Sequence, residues 1–113
     1  DWLYVEDHAK ALYQVINKAT SGSSYNIGGN NELSNLEVIN KIFSNLMFLK
    51  PEKATEPDYY KNLINYVTDR PGHDRRYAID SSKIKKELDW EPAETFDSGL
   101  KKTIEWYIKD NNI

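Results

Sequence analysis

All three arginines of this 113-residue chain lie in one run, Asp69-Arg70-Pro71-Gly72-His73-Asp74-Arg75-Arg76-Tyr77. One of the two histidines, His73, lies there too. Guanidinium is a planar fork of donors that grips phosphate or carboxylate through two parallel hydrogen bonds, which a lysine ammonium cannot do. An acidic chain that confines its arginines to one segment reads as carrying an anion-binding loop, and Pro71-Gly72 marks a turn inside it. Three chemistries fit these residue types. In a nucleotide or sugar-nucleotide site, an arginine takes a diphosphate while Asp69 and Asn35 bond hydroxyls or base edges. In a structural cluster, Arg75 and Arg76 pair with Asp69, Asp74 or Asp80 and pin the loop. The third is a protein-interaction surface. His73 as a general base lacks a visible nucleophile or metal partner.

Other polar groups carry less. Glu6 and Asp7 read as exposed first-turn carboxylates favoured by the helix macrodipole, and His8 as a helix-face histidine. Gly28-Gly29 could let a ligand or another backbone come close, and Asn30, Asn31, Ser34 and Asn35 follow as short polar side chains. Neither the G-x-G-x-x-G spacing nor a P-loop is present.

The elements that would position these groups alternate. Residues 2–5 predict a strand. A helix to about residue 19 follows, with Val5, Ala9, Leu12, Val15/Ile16 and Ala19 on its apolar face. Residues 24–29 predict a second strand. A helix capped by Ser34 or Asn35 carries Leu36, Ile39, Ile42/Phe43 and Leu46 on one face. Residues 47–63, with Pro51, Pro57 and Tyr59-Tyr60, read as an exposed connection. Strands at 64–68 and 77–80 flank the arginine loop. Asp80 or Ser81 caps a helix over 82–88 that ends before Trp90-Glu91-Pro92. Thr95 caps the last helix, whose face is Phe96, Leu100, Thr103/Ile104 and Tyr107/Ile108, and residues 110–112 fray. The order is β-α-β-α-β-loop-β-α-α, an α/β class with too few strands for a complete doubly wound domain.

Composition narrows the partners. A net charge of −3 and pI near 5.4 argue against nucleic acid and anionic membranes. The absence of cysteine excludes disulfides and thiolate metal sites and fits a cytoplasmic protein. No apolar run reaches the length of a membrane span. The chain opens on Asp1-Trp2-Leu3-Tyr4-Val5, in mid-strand by this reading, which predicts a fragment.

The run Asp69–Asp80 resembles the signature near the carboxyl end of dTDP-glucose 4,6-dehydratases, in the extended short-chain dehydrogenase/reductase family. Three further stretches agree: Asp1 to Ala9; Tyr25-Asn26-Ile27-Gly28-Gly29 with Asn31-Glu32 and Asn35; and Trp90-Glu91-Pro92 with Thr95-Phe96. Sugar-nucleotide epimerases and decarboxylases share the first strand-helix and the Tyr-Asn-Ile-Gly strand, but usually lack the full Asp-Arg-Pro-Gly-His-Asp run. The resemblance implies an enzyme that uses NAD to oxidise dTDP-glucose, eliminates water and reduces the product to dTDP-4-keto-6-deoxy-glucose, on the way to rhamnose and other deoxysugars.

The resemblance also implies site roles. Asn35, Asp69, Arg70, Pro71, Gly72 and His73 match family substrate contacts: Arg70 for the diphosphate, Asn35 near phosphates or sugar, Asp69 and His73 along the nucleoside. Arg75 and Arg76 would brace the loop against nearby acids. The family's NAD turn, its Tyr-x-x-x-Lys pair and its acidic dehydration pair are not in this chain. The expectation is therefore a carboxyl-terminal third, inactive alone and binding no NAD. Residues 1–30 would pack on an absent Rossmann half, and 31–113 would form the substrate part. Trp2, Tyr4, Leu12 and Ile27 would then meet solvent or a second copy, favouring self-association. A part of an epimerase or decarboxylase, or a non-catalytic nucleotide-binding or interaction module, is the alternative.

Overall fold

A computed structural model describes residues 1–53, 56 and 58–111. Pro57 of the expected connection and Asn112 of the expected frayed end lie outside the described residues. Among the described residues four α-helices form: α1 (Val5–Lys18), α2 (Asn35–Leu49), α3 (Ser82–Leu88) and α4 (Phe96–Asp110). Two 3₁₀ turns, Pro51–Lys53 and Lys61–Leu63, sit between α2 and α3. The chain divides into two compact units, one of residues 1–33 and 77–100, the other of 34–76 and 101–113.

In the first unit, Ala11 of α1 clusters with Ile84 and Leu88 of α3 and with Trp90, and Leu3, Val15, Ala19, Tyr25 and Ile27 pack around them. The small Ala11 side chain lets α1 and α3 approach closely, so α1 buries Asp7 and Ala11 and half-buries Val15, and Ala19 just past the helix is half-buried too. This corrects most of the expected face: Val5 is 71% exposed and Ile16 82% exposed, and Ala9 and Leu12 are exposed as well. Tyr4 and Ile27 are half-buried, so of the four residues expected to lack cover only Trp2 and Leu12 count as exposed.

Asp7 corrects a second expectation, since only 1% of it is exposed. Its Oδ2 accepts from the backbone N–H of Glu94 at 2.8 Å, and Lys10 Nζ approaches Oδ1 at 3.4 Å. The contact holds the approach to α4, where Thr95 Oγ1 accepts from Ser98 N–H as an N-cap. Gly99 in the first turn of α4 lies against Tyr4; a Cβ there would come within 2.9 Å of Tyr4 Cβ. Asp80 supplies the side-chain cap at α3, its Oδ1 accepting from Ser82 N–H at 2.9 Å, while Ser81 makes no side-chain cap bond.

None of the described residues forms a strand, contrary to the four expected. β-propensity describes a fit to a paired, half-buried surface, and a strand exists only with a ladder partner. Residues 1–4 and 24–31 do run together: Trp2 N–H donates to Asn31 O at 3.0 Å. Side chains then take the neighbouring backbone groups. Asp1 Oδ1 accepts from Gly29 N–H and Asn31 N–H, and Asn31 Nδ2 donates to Trp2 O. Along 64–68, Tyr66 and Val67 are 82% and 85% exposed, so that segment has no buried face.

In the second unit, α2 begins with a full capping box: Ser34 Oγ accepts from Glu37 N–H, and the Glu37 carboxylate accepts from Ser34 N–H at 2.7 Å. Those bonds hold the Glu37 carboxyl below its usual range. Val38, Tyr60 and Ile104 are buried here. Tyr60, expected in an exposed connection, instead stacks on Phe43 with ring centroids 5.6 Å apart, and burial pushes its phenol up.

Candidate functional site

Residues 69–76 of the arginine loop lie within the second unit, as does Asn35. Arg70-Pro71-Gly72-His73 closes a β-turn, His73 N–H donating to Arg70 O at 3.3 Å. Gly72 has φ of +71°, which a type II turn requires at its third residue, and proline pre-sets φ at the second. Pro71 and Gly72 therefore shape the loop. No heavy atom lies within 4 Å of where a Gly72 Cβ would stand, so backbone conformation rather than space demands glycine there.

Asp69 clamps the turn from its entry. One oxygen, Oδ1, accepts from Arg70 N–H at 2.8 Å and faces His73 Nδ1 at 2.7 Å. The His73 bond, and then the Arg70 amide, hold the Asp69 carboxyl below its ordinary range. An ionised carboxylate only accepts, so Nδ1 carries the proton and Nε2 is the ring nitrogen left for other partners. His73 is 32% exposed in its side chain and Asp69 74%.

The sequence singled out both residues but not this pairing. Its signal was an Asp and a His four apart across a Pro-Gly turn. Among the described residues the Arg70 guanidinium has no hydrogen bond or ion pair. Arg75 likewise has no acidic partner among them, contrary to the expectation that it braces the loop. Asn35 opens α2 and is exposed; its side chain is not bonded to the loop among the described residues. The structure thus joins Asp69, Arg70, Pro71, Gly72 and His73 in one turn and leaves Asn35 apart from that bonding.

The glycines at 28–29 are filled by their own chain. A Cβ on Gly28 would meet Asp1 Oδ2 and Ile79, and one on Gly29 would collide with the Trp2 carbonyl. Of the two readings, close approach of another backbone is the one realised. A depression of about 290 Å³ in the first unit is lined by Asn30, Asn31, Ser81, Trp90 and the ion-paired Lys85 and Glu91. None of the expected site residues lines it. Among the described residues no cluster of His, Asp or Glu could hold a metal ion, and no helix is long and apolar enough to cross a membrane.

The family model for GDP-mannose 4,6 dehydratase matches residues 1–103. The chain belongs to that family. A dTDP-glucose 4,6-dehydratase of Neisseria gonorrhoeae is 56% identical over 108 residues, covering 96% of this chain and 31% of the relative. The Shigella flexneri enzyme of the same name is 53% identical over 112 residues, covering 99% of this chain and 30% of its own. A crystal structure of dTDP-glucose 4,6-dehydratase from Bacillus anthracis, in complex with NAD, superposes with a TM-score of 0.80 at 46% identity. It is matched over 99% of this chain and 32% of its own. The chain spans about three tenths of the length of these curated relatives.

Proposed function

We propose that this chain is the carboxyl-terminal, substrate-gripping part of a cytoplasmic dTDP-glucose 4,6-dehydratase. The supporting observation is the clamped turn Asp69–His73 with an unpaired Arg70 guanidinium on it. A guanidinium without an internal acid partner is free to take a diphosphate bidentately. Asn35 adds a neutral donor and acceptor for phosphate or sugar oxygens, and Asp69 and His73 line the nucleotide beside Arg70. Pro71 and Gly72 fix the turn in advance, so that little loop ordering opposes binding.

In the whole enzyme, NAD would supply the redox chemistry. The described residues do not fit that group. The adjacent glycines are closed by Asp1, Trp2 and Ile79, and no open glycine cradle remains at that place. No redox step is assigned to this chain, which alone turns over no substrate. Its work is to bind and orient the nucleotide end of the sugar.

The Rossmann half of the whole enzyme covers residues 1–30, and residues 31–113 form the nucleotide-binding part. The exposed α1 residues Val5, Leu12, Tyr13 and Ile16 face that half, and the extended segments at 2–4, 24–29 and 77–80 become strands when it supplies ladder partners. Without it, the same α1 residues drive self-association. Sedimentation should then show a mass rising with concentration that Ile16→Lys suppresses; a monomer at every concentration refutes this part of the reading.

Calorimetric titration with dTDP, UDP and GDP tests the site. The expected result is tighter binding of dTDP than of UDP or GDP, with affinity for all three falling about ten- to hundredfold in Arg70→Lys, as for removing a charge-assisted fork. Equal binding of all three nucleotides would favour another sugar-nucleotide enzyme, and no binding would overturn the assignment of this loop.

A further inference from the structure

Asn35 stands inside a hydrogen-bonded box at the start of α2. Glu37 Oε2 accepts from both Ser34 N–H and Ser34 Oγ–H at 2.7 Å, and Ser34 Oγ accepts from Glu37 N–H at 3.3 Å. These bonds bracket Asn35 and Leu36, the first two residues of the helix. Burial does little to hold that turn: Ser34, Asn35, Leu36 and Glu37 are all exposed, and the first buried residue is Val38. Helix ends fray because their terminal backbone groups lack internal partners, so the box decides how often Asn35 occupies its helical place. A binding group that is in place for only part of the time weakens the observed affinity in proportion.

We propose that Glu37, with Ser34, is a positioning residue: the capping box fixes the first turn of α2 so that the Asn35 carboxamide is held in place for the sugar nucleotide. This rests on reading Asn35 as a ligand contact. The Glu37 carboxylate only accepts, and its negative charge repels a diphosphate, so it acts through Asn35 and not on the ligand. Glutamate and glutamine both close a capping box, so the bonding rather than the charge is what Asn35 requires.

The probe is dTDP-glucose, titrated calorimetrically into the 113-residue chain, with variants that form a double-mutant cycle between Glu37 and Asn35. Asn35→Ala should weaken binding about tenfold, as for the loss of one hydrogen-bonding side chain. Glu37→Ala and Ser34→Ala should each weaken it about three- to fivefold, as for the loss of a cap. Glu37→Gln should stay within about twofold of wild type, because it keeps the box. In the Asn35→Ala background, Glu37→Ala should cause no further loss of affinity, while still lowering the urea midpoint by a similar amount. A merely structural role would move the midpoint alone, or weaken binding by the same factor with and without Asn35. Either result overturns this inference, as does Glu37→Gln binding as weakly as Glu37→Ala, and each leaves the nucleotide site standing. Asn35→Ala binding as tightly as wild type, or no binding of dTDP-glucose to the unaltered chain, overturns the reading of the site and the inference together.

Discussion

Replacing Asp7 with alanine should destabilise the chain more than any exposed acidic substitution. The carboxylate is 1% exposed and accepts from Glu94 N–H at 2.8 Å, joining the first turn of α1 to a segment 87 residues later. A hydrogen bond to a charged group contributes about 1.5–3 kcal/mol. The Lys10 contact adds only about 0–0.5 kcal/mol, because its ammonium is largely solvated. The loss is therefore about 2–3 kcal/mol, which for a chain of this size lowers Tm by roughly 10 °C. Urea unfolding followed by circular dichroism measures it directly, as a lower midpoint at unchanged slope. Asp7→Asn, which keeps an oxygen facing Glu94, should lose less than half as much, and Lys10→Ala should fall within about 0.5 kcal/mol of wild type. An Asp7→Ala midpoint equal to that of Lys10→Ala would refute the reasoning, since the buried bond would then contribute nothing.

Two further outcomes follow from single contacts. Gly99→Ala should destabilise by about 1 kcal/mol in the same assay: alanine gains about 1 kcal/mol of helix propensity, but crowding Tyr4 costs about 1–3 kcal/mol. A gain in stability would mean that Tyr4 moves aside freely. Asp69 predicts the acid behaviour of the loop. Its carboxyl is depressed from the ordinary 3.8, so its contribution is complete above that value and disappears as pH falls through the lower folded one. The side-chain carboxyl ¹³C shift of Asp69 should titrate below about 3.8 and rise toward that value in His73→Ala, where the Arg70 amide bond remains; a wild-type midpoint at or above it contradicts the clamp.

The helices were legible because their causes are local. The Ser34–Glu37 capping box, the spacing of apolar residues and the break before Trp90-Glu91-Pro92 lie within a few residues of what they determine. The α3 range agrees at both ends, and α2 differs only in running three residues beyond Leu46. Pro71-Gly72 announced its turn for the same reason, since proline and glycine set backbone angles regardless of context. Strands were not legible, because a ladder needs a partner and here Asp1 and Asn31 side chains occupy the backbone groups. The burial of Asp7 and the outward direction of Ile16 depend on segments more than 65 residues away in sequence. At the site, residue types exposed the loop, but only coordinates reveal that Asp69 answers His73 rather than an arginine.

The core of the first unit joins Ala11 to Ile84, Leu88 and Trp90, so its two halves leave the ribosome at different times. Roughly 60 residues separate α1 from α3, and at about 5–20 residues per second the early helix waits about 3–12 s for its counterpart. During that interval α1 is apolar on both sides, with Ala11 and Val15 uncovered as well as Leu12 and Ile16. A nascent chain in that state is a natural client for a chaperone at the exit tunnel. Slowing translation between codons 34 and 76 should raise aggregation more than slowing it after codon 100.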